Sequence, residues 1–303
     1  MPEILNPLII REITNEAIYS NGALSRSKKI PLREDSKLSF NEIVTSNAIE
    51  KPKFNIYISE YENASLALEN TLQRLFLTFK LQIGLFLESA NLYHVKVAHK
   101  ALYRYRSLLK GFKKYIDSKN YDEKLFALDS LILIFDKSLN IDKSFKELLA
   151  CKREFSKDMQ NEVLKTLIDL ARLKREEKER LLNLNLSAKV DNFDRIPLKY
   201  KKSFEKPFEY IVFKVKEKNL SILKKSIKKD DNITLFFKLK RYKHLMDFFK
   251  EEFSSKGYKK LKKALIIEYS KKFIAKENSR VAEKFYKLCS PKEKIKRIRK
   301  KLL

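Results

Sequence analysis

Lys96, His99, Lys100, Arg104, Arg106 and Lys110 fall within a fifteen-residue span that holds no Asp or Glu. Lysine and arginine at this density carry fixed positive charge and donate charge-assisted hydrogen bonds. The chemistry on offer is therefore capture of a phosphate- or carboxylate-rich anion, not bond cleavage. A second group, Lys240, Arg241 and Lys243, lies in the C-terminal part. Catalysis needs groups of opposed protonation preference placed together, or a bound metal, and neither is visible. His94 and His99 have no Cys, Asp or Glu beside them at ligand spacing, and His244 is isolated, so no metal is expected. With only four glycines and no GxxxxGK[ST] loop, a nucleotide-cradling turn is not expected either. Glu88, Glu123, Asp129 and Asp136 read as solvated helix residues or salt-bridge partners. The expectation is a binding protein with no enzymatic activity and no cofactor.

The helix that must present the first group can be drawn at 100° per residue. Val97, Ala98, Ala101, Leu102, Tyr105, Leu108, Leu109 and Phe112 share one face and belong in a core. The remaining surface collects Lys96, His99, Lys100, Tyr103, Arg106 and Lys110, with Arg104 at its flank. A solvated helix usually interleaves Glu with Lys at four-residue spacing, each pair adding a few tenths of a kcal/mol. That option is unused here for more than four turns, so the helix carries self-repulsion that an anionic partner would relieve. The second helix is less tidy: Leu235, Leu239, Tyr242, Met246 and Phe249 form its apolar stripe, and Phe236 and Phe237 interrupt its polar side, either packed against a neighbouring helix or marking a weakened anion face.

Composition agrees with this assignment. The chain has 303 residues, 44% of them hydrophobic, enough for a substantial core. Four Gly and seven Pro against abundant Lys, Leu, Glu and Phe favour an all-α fold. Lys and Arg number 67 and Asp and Glu 39, a formal charge of +28, which attracts anionic polymers. Genome-wide drift towards Lys would spread the charge evenly. Instead, residues from Leu186 onward hold 36 basic and 14 acidic side chains, a net +22, leaving +6 for residues 1–185. Two cysteines, Cys151 and Cys289, allow at most one bridge, and a reducing cytoplasm is the expected compartment. Neither a signal peptide nor a membrane span is expected, since Lys80 interrupts the most apolar stretch, Leu75 to Leu87.

Along the chain, residues 1–60 read as an irregular arm with one short alternation, Phe54 to Ile58. Helical periodicity begins near Glu62, with Leu68, Leu72, Leu75, Phe76, Phe79, Ile83 and Phe86 in one stripe. Helices are predicted at about 93–116, 122–138, 142–154 and 156–184, completing a first bundle over 61–185. The polar, Pro-containing stretch 185–206 is the expected boundary. A second bundle over 186–303 has helices at about 208–228, 233–254, 256–274 and 277–289 and a basic tail, SPKEKIKRIRKKLL, read as a solvated helix, a frayed end or an extra anion contact.

The two basic segments align without gaps: KVAHKALYRYRSLLKGF at 96–112 on ITLFFKLKRYKHLMDFF at 233–249, with five identities in seventeen positions. Arg104 matches Arg241, Tyr105 matches Tyr242, and Arg106 matches Lys243 conservatively. This pattern resembles the conserved-histidine α-helical domain (CHAD) family, whose basic helices read roughly HxxRVxxRRLRxxLRxF and LHxLRIxxKRLRYxLExF. The resemblance covers about residues 60–303. It departs at the naming histidine, which falls on Lys96 and Ile233, and at the next arginine, which falls on His99 and Phe236. The resemblance implies two four-helix bundles related by a pseudo-twofold repeat, with basic helices lining a groove or pore for inorganic polyphosphate. Position by position it carries over Arg104, Arg106, Lys110, Lys240, Arg241 and Lys243; together with the helix face above, Lys96, His99, Lys100, Arg104, Arg106 and Lys110 are expected to form one wall and Lys240, Arg241 and Lys243 part of the other. Nucleic acid bound by the same surface, with Tyr103 as a stacking candidate, and a helical adaptor for an acidic protein are the rival readings.

Overall fold

In the computed structural model, the described residues are 56, 63–249, 256–289 and 292–302. They are almost wholly helical. The irregular arm expected over residues 1–60 lies outside them apart from Ile56, whose backbone N–H donates to the Phe248 carbonyl at 2.8 Å. Ten α-helices follow: α1 Ala64–Ser89, α2 Leu92–Gly111, α3 Ser118–Ala150, α4 Lys157–Leu182, α5 Leu186–Asp194, α6 Phe208–Lys229, α7 Asn232–Phe248, α8 Lys256–Glu277, α9 Ser279–Cys289 and α10 Lys292–Leu302. Among the described residues β-pairing is limited to two isolated bridges, Asn63 with Pro207 and Ile116 with Tyr200. No described helix is long and apolar enough to cross a membrane.

Local sequence sets the helix ends. The Asn63, Asn91, Asp117 and Asp231 side chains each accept hydrogen bonds from first-turn backbone N–H groups, covering donors that have no partner within the helix. Ala90 ends α1 in the left-handed region, at φ 53°, and its N–H returns to the Phe86 carbonyl. The two-residue link Ala90–Asn91 then folds α2 back along α1. The apolar stripe expected on α1 is buried in full, as is that of α7. On α2 only Val97 of the predicted core face stays partly accessible.

Tertiary packing joins helices from both parts of the chain. α2, α3, α8 and α7 each pack on the next and close a four-helix centre, with α2 against α7 and α3 against α8. α1 packs outside on α2, α4 on α3, α6 on α7 and α9 on α8. Residues 51–303 form one compact unit, and a single apolar cluster draws on both sides of position 185.

Three expectations need adjustment. The helices predicted at 122–138 and 142–154 are one helix, α3. Asn and Asp favour helix ends because their side chains compete for backbone groups. In α3, Asn140 instead donates to the Tyr269 hydroxyl, and Asp142 pairs with Lys146 and Lys174, so nothing breaks the helix. The stretch 185–206 carries a helix, α5, with Leu186, Val190 and Phe193 buried. Lys124 anchors its C-terminal end by donating to the Phe193 and Ile196 carbonyls, and burial lowers the pKa of that ammonium to about 8. The basic tail is helical and docked on α6 and α8: Ile295 is buried, and Arg299 donates to the Asp230 carbonyl and the Asn232 side chain.

Candidate polyanion-binding site

The predicted basic residues meet along the contact between α2 and α7, in two flanking groups and a central one. On one flank, Lys100 and Arg104 of α2 lie within electrostatic reach of Lys243 and Asp247 of α7, and Lys262 of α8 joins them. Lys243 pairs with Asp247 at 2.7 Å, one turn along its own helix. Burial, then the neighbouring cations, lowers the Lys100 pKa and brings that of Lys262 down to about 8. Lys96 extends this row into solvent.

On the other flank, Arg106 and Lys110 of α2 approach Arg241 of α7. Arg106 makes a two-pronged pair with Asp129 of α3, whose Nη2–Oδ2 contact is 3.0 Å. Burial works against the Arg106 charge, but the Asp129 carboxylate outweighs it and holds the guanidinium pKa above its ordinary value. Arg241 is fixed by the Asn219 side-chain oxygen of α6 at 2.7 Å.

Between the flanks lies a partly buried line. The Lys240 ammonium of α7 sits 3.2 Å from the centroid of the Tyr103 ring, a cation–π contact. No carboxylate among the described residues is within ion-pair distance of it. Burial lowers the Lys240 pKa to about 7. Asp136 opposes the shift, while Lys262, Lys143 and Arg106 reinforce it. His99 contacts Asp136 through Nε2 at 2.8 Å, and the Tyr103 hydroxyl donates to the same carboxylate. His244 Nδ1 lies 3.0 Å from the Ser107 hydroxyl. Burial drives both histidines towards the neutral form. Lys143 of α3 closes the line over the rings of Phe236 and Tyr269, at 5.0 and 4.7 Å from their centroids, and its pKa falls to about 8.

Eight of the nine predicted binding residues therefore gather along this contact: Lys96, Lys100, Arg104, Arg106, Lys110, Lys240, Arg241 and Lys243. His99 does not join them. It is buried and committed to Asp136, so its assignment to the solvent face of α2 is corrected; Tyr103 is turned inward in the same way. A single-helix projection cannot register that α3 covers this edge. Nor is the surface unneutralised, because Asp129, Asp136 and Asp247 arrive from α3 and α7. Phe236 and Phe237 take the neighbouring-helix option, both packing on Tyr269 of α8.

Sequence reasoning missed Lys143 and Lys262. A signal for the first exists: Asp129, Asp136 and Lys143 recur at seven-residue spacing, which puts them on one face of α3. Comparison with family models, with curated proteins and with solved structures gives no match.

Proposed function

We propose that the chain binds inorganic polyphosphate without transforming it and is a divergent member of the CHAD family. The observation that carries this reading is the convergence of cations from α2, α7, α3 and α8 on one contact line, with Asp129, Asp136 and Asp247 as the main opposing carboxylates. Like charges held together by a folded core raise the free energy of the unliganded state, and an extended anion that bridges them relieves it.

The internal repeat belongs to the same reading. The gapless alignment offsets the copies by 137 residues. Tyr103 then corresponds to Lys240 and Ser107 to His244, and each pair is in direct contact. Elements related by a twofold axis behave this way, because a residue near the axis touches its own counterpart. Pairs away from the axis exchange: Arg104 and Lys243 both act on Lys100 and on His244, and their counterparts Arg241 and Arg106 act on each other. Asn63 and Pro207, which precede α1 and α6, are also bridged antiparallel. In this reading α1 to α4 and α6 to α9 are the two four-helix groups.

A polyphosphate carries about one charge per phosphate and has no bases to stack, which suits a site whose central aromatic, Tyr103, is already covered by Lys240. Competition between long polyphosphate, RNA and duplex DNA at about 0.15 M salt, where screening acts over roughly 8 Å, tests the assignment. Polyphosphate should win, and its affinity should fall linearly with salt on logarithmic axes. Preference for RNA would overturn the ligand.

A further inference from the structure

The basic tail carries charge that the α2–α7 contact does not use. In α10, Ile295, Ile298 and Leu302 recur at three- and four-residue spacing and pack on the core, with Ile295 buried. Lys292, Lys296 and Arg299 recur at four and three residues and share the adjoining face. With α10 docked on α6 and α8, that face closes one side of a cleft of about 490 Å³, a volume within the span of about 300–1,000 Å³ usual for small-molecule sites. Glu268 and Lys271 of α8, Tyr286 of α9 and Asn232, the first residue of α7, line much of the rest. A disulfide from Cys289, the last residue of α9, to Cys151 at the end of α3 anchors the chain just before α10.

Charge in this cleft is lopsided and held in place. Among the described residues, no carboxylate lies within ion-pair distance of Lys271, Lys292, Lys296 or Arg299. The one carboxylate that lines the cleft, Glu268, accepts from the Asn232 side-chain amide at 2.5 Å. Tyr286 gives two of the lysines a common support: the ammoniums of Lys271 and Lys292 lie 4.5 and 5.3 Å from its ring centroid. Arg299 Nη2 donates to the Asp230 carbonyl at 3.2 Å and to the Asn232 side-chain oxygen at 2.7 Å, while its Nε is buried with no acceptor among the described residues. That leaves Nη1 to meet a ligand. The α7 N-terminus contributes little, since Asp231 already accepts from the Ile233 and Thr234 N–H groups.

We propose that this cleft is a second anion site, separate from the α2–α7 line, and that it binds a compact oligophosphate: the triphosphate group of inorganic tripolyphosphate or of a nucleoside triphosphate. Lysines are point charges with three rotatable donors each, which match the many outward oxygens of a condensed phosphate. A planar carboxylate gains most from a two-pronged arginine fork, and Arg299 has one nitrogen to offer. A base gains nothing, because the aromatic ring that lines the cleft, Tyr286, is buried and carries two ammoniums. The bound triphosphate bridges α10 to α8 and clamps the tail to the core.

The test is calorimetric titration of the full chain at about 0.15 M salt with tripolyphosphate, ATP and citrate as separate probes. It is made in Arg106→Gln/Arg241→Gln, where the α2–α7 line is weakened, so it succeeds or fails independently of polyphosphate binding there. One tripolyphosphate should bind per chain, and adding Lys292→Gln and Lys296→Gln, both at exposed positions, should lower that affinity roughly tenfold or more. Hydrogen exchange should slow in α10 when tripolyphosphate is added, and not in α2. Equal affinity for ATP would show that the triphosphate group alone is read, and weaker ATP binding would select the inorganic source. No binding, affinity that ignores Lys292 and Lys296, or citrate that binds as tightly as tripolyphosphate would overturn the site.

Discussion

The two flanks of the α2–α7 contact hold charge in different ways. One is built on arginine: Arg106 is gripped by Asp129, Arg241 by Asn219, and both guanidinium groups stay charged at any ordinary pH. The other flank, Arg104 apart, and the central line depend on lysine, with Lys100, Lys262, Lys240 and Lys143 all shifted towards neutrality by burial and by neighbouring cations. The arginine flank is therefore a fixed, pre-oriented anchor, whereas the lysine side changes charge with pH and with occupancy. A helical core tolerates concentrated positive charge either by pairing and orienting it or by letting it lose protons.

The largest expected effect follows from the anchor. Replacing Arg106 and Arg241 together by Gln removes two charge-assisted hydrogen bonds, each worth about 1.5–3 kcal/mol. Polyphosphate affinity should fall roughly a hundredfold or more, by the same factor at pH 6 and pH 9, with the salt slope reduced by about 2. Calorimetric titration at several salt concentrations measures both. A loss confined to low pH would erase the distinction between the flanks.

The next effect is of opposite sign in stability and in binding. Lys240→Met removes a buried ammonium and should raise unfolding free energy by about 2 kcal/mol at pH 6 while weakening polyphosphate binding. Lys240 has a pKa of about 7 in the folded state against an ordinary 10.5. Between those values the unfolded chain holds more protons, so wild-type stability rises with pH across that window and the penalty is greatest below pH 7. The advantage of Lys240→Met over wild type should therefore shrink between pH 7 and pH 10.5, as denaturant unfolding at a series of pH values would reveal. A variant destabilised at pH 6 would show that the ammonium supports the fold.

About tenfold is expected from pH alone. Lys240, near 7, and Lys143 and Lys262, near 8, lose charge as pH rises, so affinity should decline from pH 6 to pH 9 and binding should take up protons. Calorimetry in two buffers of different ionisation enthalpy counts those protons. The smallest effect is Lys96→Gln: the side chain is exposed and at the end of the row, so stability should shift by less than about 0.5 kcal/mol, and affinity only a few-fold.

Much of the frame was legible from local periodicity. The stripes Leu68 to Phe86 and Leu235 to Phe249 gave their helices and buried faces correctly, because 3.6-residue spacing depends on neighbours along one chain. Helix continuity through Asn140 and Asp142 was not legible, since it depends on Tyr269 and Lys174 from other helices. Eight of the basic residues along the α2–α7 contact could also be read in advance, whereas Lys143 and Lys262 were missed. The fate of His99 could not, because burial by α3 and the Asp136 carboxylate outweigh its place on a helical wheel.

Sequence alone determined that this chain makes amphipathic helices and that α2 and α7 are among the basic ones, for those are properties of residue type and spacing. Only the tertiary structure decided which cations face each other, which meet a carboxylate, and that Cys151 reaches Cys289 across 138 residues. Charges and contacts act through space over a few ångströms, and distance along the chain does not fix distance in the fold.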